Sequence, residues 1–426
     1  MIMMFTLIRQ WRHSQGLRHS ALTVSSYGGA SLLSALAIIL LSRLLGPVAF
    51  ADFSVAFALS IVLNRFNDLG LTMVIQKLVA AEFRPHKINA YLSLVLRYRL
   101  LLSVLLLLLG LLLGPWLTAL LHLSNHWLIP LTFLFSIPVT FFESAQVTLQ
   151  SLGRFRQAAY NYLLPAVLKL GLGLVVYFGQ IHDVALITSL YLLCTVPGLL
   201  LAEWLKPRFV HYQLERPVTK EQPAVHQLLR HAAFATLATA LIENLDLLFA
   251  KHYLSTYETG LLAGQGKIAL LLAVVAYALS SVLNPRVAAY TKRGPFMSYL
   301  RKAFALAGLS GLGLALIWPF QSLLVRLTIG PAYDAQLHIL GLLLAASTLL
   351  IIATPFIACF YSFRSNRYFS YAALLQLLIV LIGNWYFVPR FGLDASAWTR
   401  LLARAGLLLL TGSLLWLEIR RKWGKG

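Results

Sequence analysis

The stretch Leu100–Leu113, LLLSVLLLLLGLLL, decides the class of protein. It is preceded by Arg97 and Arg99 and closed by Gly114-Pro115. Extended back to residue 88, it satisfies the roughly 20 apolar residues that a helix needs to cross about 30 Å of hydrocarbon. The composition agrees: the 426 residues are 59% apolar and 12% charged, with a mean hydropathy of +0.77. Soluble domains run near half apolar and about a quarter charged. A soluble enzyme is therefore excluded. The formal charge of +21, from 35 Lys+Arg against 14 Asp+Glu, is not a nucleic-acid signature, because most of it lies between long apolar runs.

Working outward on the same ruler, the chain offers twelve candidate spans: 20–44, 47–76, 88–113, 127–150, 157–178, 184–204, 228–252, 260–285, 299–325, 335–362, 367–388 and 395–418. Turn-forming pairs mark the gaps, as at Gly46-Pro47, Gly114-Pro115 and Gly330-Pro331. With both termini cytoplasmic, the inner segments hold 24 Lys and Arg, and the outer loops hold only Lys251, Arg326 and Arg390. That asymmetry is what the positive-inside rule requires. The expected fold is an all-α polytopic membrane protein of about twelve transmembrane helices in two six-helix bundles. The bundles cover 1–205 and 227–426, with a cytoplasmic linker at 206–226 between them. Each opens with a helix, a tight outer turn and a long second helix, a layout that parallel-repeat transporters share.

Several chemistries are absent. Cys194 and Cys359 lie inside apolar runs, so no disulfide framework is expected. No HExxH spacing suggests a metal, and no GxxxxGK[ST] loop suggests ATP hydrolysis. No cofactor is expected. Met1–Leu7 is too short for a cleavable signal and is followed by Arg9, Arg12 and Arg18.

Charges within the spans are the candidate functional residues, because a charge at the bilayer centre costs about 2.5–3.5 kcal/mol on insertion scales. Eight are basic: Arg43, Arg65, Arg97, Arg99, Lys169, Lys267, Arg400 and Arg404. The acids weighed with them are Asp68, Glu143, Glu243 and Asp246. Lys169 sits near the middle of Leu163–Tyr177, too deep to reach an interface, and is expected to face a cavity, the alternative being a buried structural ion pair. Arg65 and Asp68, spaced i,i+3, share a helix face and form either a self-neutralised pair at a helix break or a functional one. Glu243 and Asp246 repeat that spacing. Asp246 and Lys267 fall at similar depth on adjacent antiparallel helices, as a structural salt bridge or as a pair that ligand or proton binding breaks. Arg97 and Arg99 read equally as interfacial anchors or functional groups. Arg400 and Arg404 are expected to snorkel, and Arg43 to be interfacial. Glu143, Gln146 and Gln150 make a polar stripe on the fourth span. The net positive excess predicts an anionic cargo, because Arg forks and Lys point charges are what a diphosphate needs.

Leu41–Phe53 (LSRLLGPVAFADF), Asp68-Leu-Gly-Leu71, Gln150–Phe155, Asn244–Leu254, Thr259–Ala263, Pro285-Arg286 and Ile329–Tyr333 occur in this order along nearly the whole chain. Together they resemble polysaccharide flippases of the Wzx type, in the multidrug/oligosaccharidyl-lipid/polysaccharide exporter superfamily. The resemblance implies a V-shaped two-bundle transporter of the bacterial inner membrane working by alternating access. Its cargo would be an undecaprenyl-diphosphate-linked oligosaccharide for lipopolysaccharide or exopolysaccharide. It further implies H+ or Na+ coupling and contact with polysaccharide polymerase machinery. Arg65, Arg99, Lys169 and Lys267 are then the candidate cargo contacts, and Asp68, Glu143, Glu243 and Asp246 the candidate coupling acids. The chain has almost no tail after the last span, which leaves the sugar open. The alternatives are a cation-coupled drug or metabolite antiporter, which needs acid-dominated cavities, and a peptidoglycan-precursor flippase, which usually carries two further helices. A membrane polymerase or ligase is disfavoured, because the longest outer gap, 114–126, holds only His122 and His126 as ionisable groups.

Overall fold

The computed structural model describes residues 15–212, 222–288, 293–363 and 367–423. Arg9, Arg12, the linker positions 213–221, Lys292, Arg364 and Lys425 of the charge count lie outside the described residues. Within them the chain is helical nearly throughout, with no strand. The helices are α1 (Gln15–Asp68), α2 (Pro85–Leu120), α3 (Leu128–Ser151), α4 (Phe155–Phe178), α5 (Val184–Leu193), α6 (Val196–Leu205), α7 (Gln222–Tyr253), α8 (Thr256–Ala288), α9 (Arg293–Ile317), α10 (Gln321–Leu327), α11 (Leu337–Phe363) and α12 (Arg367–Trp423). Among the described residues nine helical segments are long and apolar enough to cross a membrane. Two of these carry an internal break, at Gly46 and at Gly392.

The break in α1 follows from its sequence. Gly46 takes φ 64° and ψ 175°, a backbone that residues with a Cβ rarely adopt. Pro47 then begins the next helical stretch, where its missing N–H is no loss. Other boundaries differ from the sequence reading. The second span does not run on to 76: α1 stops at Asp68, Leu69 and Gly70 take positive φ, and a turn at Leu71–Val74 leads into a π-helical segment, Ile75–Val79. The sixth span is divided between α5 and α6, next to Pro197. The last two spans run together as α12, which is broken at Gly392 (φ 66°, ψ −147°), inside the 389–394 gap expected between them.

By their contacts the described residues fall into two compact units. The first holds the residues up to Ile38, Leu63–Pro115 and His126–Thr236. The second holds Ile39–Val62, Trp116–Asn125 and the residues from Leu237 onward. In the first, α3 packs on α5 and α6, and α4 on α6. An apolar cluster at one end joins Leu71, Ile75, Leu92, Val95, Val147 and Val225. In the second, α8 packs along α11, and α11 along α12. Leucines of the opening stretch stay outside the core: Leu108, Leu111 and Leu112 are 59%, 72% and 76% exposed. In a membrane protein such a surface is the one that meets lipid tails.

One close approach fixes the second unit. A Cβ on Gly260 would lie 1.9 Å from the Pro47 carbonyl oxygen, so α8 can touch the bend after Gly46 only because residue 260 lacks a side chain. Gly266, further along α8, has open space around it. Overpacking typically costs about 1–3 kcal/mol. Gly260→Ala should therefore lower the melting temperature of the detergent-solubilised protein by several degrees, whereas Gly266→Ala should leave it unchanged or slightly raised.

Candidate functional site

In the first unit the break at the end of α1 creates a buried anchor. Asp68 accepts from the Gly70 and Thr72 backbone N–H groups at 3.2 and 2.9 Å and from the Thr72 hydroxyl at 2.5 Å, so its carboxylate caps the turn that follows. Arg99 on α2 closes the cluster. Its Nη2 donates to Asp68 Oδ1 at 2.5 Å and to Thr72 Oγ1 at 2.8 Å, and its Nη1 to the Thr140 carbonyl of α3 at 2.6 Å. Arg99 and Asp68 are 1% and 3% exposed. Both terminal nitrogens of Arg99, proposed from the sequence as a cargo contact, are thus engaged inside the protein.

Arg65 does not pair with Asp68, although they share a helix. Its Nη1 meets Glu143 Oε2 of α3 at 2.9 Å, with both side chains about one-third exposed. Asp68 turns away because the freed N–H groups beyond the break demand an acceptor. Lys169 on α4 lies with its ammonium 4.6 Å from the centre of the Tyr191 ring, a cation–π contact. Among the described residues no carboxylate comes within ion-pair distance of it, and Glu143 acts on it from further away.

The second unit repeats the principle with different partners. Glu243 and Asp246 on α7 face Arg400 and Arg404 on α12, so an i,i+3 pair of acids meets an i,i+4 pair of guanidinium groups. Arg400 Nη2 is 2.7 Å from Asp246 Oδ2 and donates to the Glu243 carbonyl at 2.8 Å. Arg404 binds the Glu243 carboxylate and donates to Gln376 Oε1 at 2.7 Å. Two expectations are corrected here. Arg400 and Arg404 do not snorkel, because carboxylates within the protein give them better partners than the interface would. The Asp246–Lys267 salt bridge does not form, because Arg400 occupies Asp246. Lys267 instead lies 5.1 Å from the Phe57 ring centre, and among the described residues no carboxylate is at ion-pair distance.

A further pair escaped the sequence reading. Lys251, counted there as an outer-loop cation, is 1% exposed, and its Nζ sits 2.7 Å from Asp52 Oδ1. Thr256 Oγ1 accepts from the same ammonium at 2.9 Å, and Ser124 donates its N–H and hydroxyl to Asp52 Oδ2. Asp52 was visible inside Phe50-Ala-Asp-Phe53, a lone acid in an apolar run, and that isolation was the available signal. Arg43 is exposed, and its guanidinium caps the end of α10 by donating to the Arg326, Leu327 and Thr328 carbonyls.

Outside the spans, Arg84 beside Glu82 holds that carboxyl down to about 2. Ser322 and Arg326 lower Asp334 in the same way. Both acids stay ionised at any physiological pH.

The excess of basic residues is therefore largely internal. Five carboxylates of the spans, Asp52, Asp68, Glu143, Glu243 and Asp246, each hold an Arg or Lys. Lys169 and Lys267 have aromatic rings in place of acids. The chemistry on offer is an ammonium group in each unit with unfilled capacity for an anion.

The fold on the page is a bundle of long apolar helices with internally paired charges, and solved structures share that fold. A transporter of the MATE multidrug-resistance family of the MOP superfamily, in an inward-facing conformation, has 14% identity and a TM-score of 0.75 over 95% of this chain and 98% of that one. The lipid II flippase MurJ, in an inward closed conformation, has 13% identity and a TM-score of 0.74 over 92% and 86%. The MATE transporter DinF-BH has 18% identity and a TM-score of 0.63 over 94% of each chain. No curated protein matches the sequence. A family model described as polysaccharide biosynthesis protein matches residues 17–291, and the chain belongs to that family. The resemblance to Wzx-type flippases stands at the level of family and fold.

Removing one partner of a buried ion pair leaves an uncompensated charge, at a cost of about 3–5 kcal/mol. Lys251→Met should accordingly destabilise the protein strongly in a detergent melt. Adding Asp52→Asn to it should recover much of the loss, a coupling that a double-mutant cycle measures directly.

Proposed function

We propose that this chain is a flippase that carries a lipid-diphosphate-linked oligosaccharide, on an undecaprenyl carrier, across the bacterial inner membrane for surface polysaccharide synthesis. In this reading the chain spans the membrane twelve times as two six-helix halves, keeps both termini in the cytoplasm and works by alternating access. The observation that carries the proposal is the pair of lysines, Lys169 and Lys267, which have no carboxylate at ion-pair distance among the described residues, in a protein of the polysaccharide biosynthesis family. An ammonium whose neighbours are aromatic faces remains available to phosphate oxygens, and each lysine is a phosphate contact in its own right. Arg65, one-third exposed beside Glu143, is the next nearest candidate. Arg99 serves by holding the end of α1. The lipid II flippase among the structural neighbours supports a lipid-linked cargo.

Coupling to H+ or Na+ falls to the acids. Glu143, about one-third exposed beside Arg65, is the least enclosed of these acids. Asp68, Glu243 and Asp246 are held by Arg99, Arg404 and Arg400 and would have to exchange partners. Any link to polymerase machinery belongs to this proposal too. The drug-antiporter alternative has less support, because a cationic drug needs an unpaired carboxylate and the five span acids named above are paired.

Lys169→Gln combined with Lys267→Gln should abolish surface polysaccharide while membrane expression persists, with Lys→Arg at both positions retaining part of the activity. Normal polymer from the double Gln variant would remove the model, and loss of drug resistance instead of polymer would favour the antiporter.

A further inference from the structure

We propose that one face within the first unit is a glycan-contact surface that leads to Lys169, so that the sugar and the phosphate of the cargo are read by different side chains. The proposal rests on the flippase reading and assigns a sugar-binding role to Tyr27, Gln150 and the Arg65–Glu143 pair.

Glu143, Gln146 and Gln150 fall at i, i+3 and i+7 of α3, one face of that helix. Two side chains from other parts of the unit extend it. The Tyr27 hydroxyl of α1 accepts from Gln150 Nε2 at 2.9 Å, and the Tyr27 ring lies on Tyr162 of α4 with centroids 4.0 Å apart and planes 31° apart. Tyr162 and Lys169, seven residues apart, lie on the same side of α4 two turns from each other, and the ammonium rests over the Tyr191 ring of α5. Gln146 is the positioning residue. It is 2% exposed, donates to the Ala158 carbonyl at 2.7 Å and accepts from Asn161 Nδ2 at 2.9 Å. It thereby ties α3 to α4 and sets the spacing of the groups on either side.

Such a surface does not suit lipid tails, because the phenol, amide and guanidinium groups keep donors and acceptors beyond their mutual bonds, and each one left unsatisfied in hydrocarbon costs several kcal/mol. Nor does it suit a cation, because Arg65 already neutralises Glu143. What remains is a row of phenol, amide and carboxylate–guanidinium groups with no net charge. These groups donate and accept hydrogen bonds at once, and they stand beside aromatic rings whose electron-rich faces attract weakly positive C–H bonds. A sugar ring offers both features, hydroxyls around its edge and C–H groups on its face. The cargo has the same division, a largely uncharged polyol joined to a concentrated anion, and Lys169 supplies an ammonium with no carboxylate at ion-pair distance among the described residues.

The test uses the purified full-length chain in detergent and two lipids: undecaprenyl diphosphate, and the polyprenyl-diphosphate oligosaccharide extracted from cells lacking this protein. The wild type should bind the oligosaccharide-bearing lipid about tenfold or more tightly than the bare one, the equivalent of one charge-assisted hydrogen bond. Gln150→Ala should reduce that preference severalfold without changing affinity for undecaprenyl diphosphate. Tyr27→Phe, which keeps the ring stack and removes only the hydroxyl, should do the same. Lys169→Gln should weaken both lipids together. Equal binding of the two lipids by the wild type, or a preference untouched in both Gln150→Ala and Tyr27→Phe, overturns the glycan surface and leaves the flippase reading standing. Failure of the wild type to bind either lipid overturns both.

Discussion

The structure depends on a constraint that low dielectric imposes: a carboxylate within the membrane must be met by a cation, and the cation that meets it best is arginine. A guanidinium can bind a carboxylate and still have N–H groups left for carbonyls and amides. Arg99 does this with Asp68, Thr72 and Thr140. Arg400 holds the Asp246 carboxylate and the Glu243 carbonyl, and Arg404 the Glu243 carboxylate and Gln376. Each cluster pins two or three helices at a fixed depth. Lysine is a point charge with fewer ways to organise its surroundings. Where it is used structurally, at Lys251, the site needs Ser124 and Thr256 to complete it. The two lysines left over are chemically distinct from the arginines around them, and that difference separates the scaffold from the candidate cargo contacts.

Much of the fold was legible because membrane insertion is read locally. Leu100–Leu113 can only be a spanning helix, and Gly46-Pro47 can only be a break, since the properties responsible reside in those residues alone. What escaped were features in which a helix responds to its neighbours. The polar cluster ending at Asp68 marked a helix break, yet the apolar residues after Gly70 carried the expected span on to 76.

The candidate site was legible as an inventory and illegible as a set of pairs. Spacing correctly grouped Glu243 with Asp246 and Arg400 with Arg404, because i,i+3 and i,i+4 positions share a face. It could not say that these two faces meet, because that depends on how α7 and α12 pack. Depth along a hairpin suggested Lys267 for Asp246, but Arg400 reaches the same carboxylate from a different helix with better geometry. Asp52 and Lys251 were separated by the same ruler that found the spans: a lysine at a helix end counts as outside until packing buries it. Counting net charge overstated the attraction for an anion by treating each arginine as available.

On the proposed reading, Lys169 and Lys267, with no carboxylate at ion-pair distance among the described residues, recognise phosphate. The most direct measurement compares the affinity of the purified protein for undecaprenyl diphosphate with that for undecaprenol, which has the same chain and no charge. The account predicts a preference of about tenfold or more for the diphosphate, lost when both lysines become glutamine. An equal affinity for the two lipids, or a preference that survives the double substitution, would contradict it.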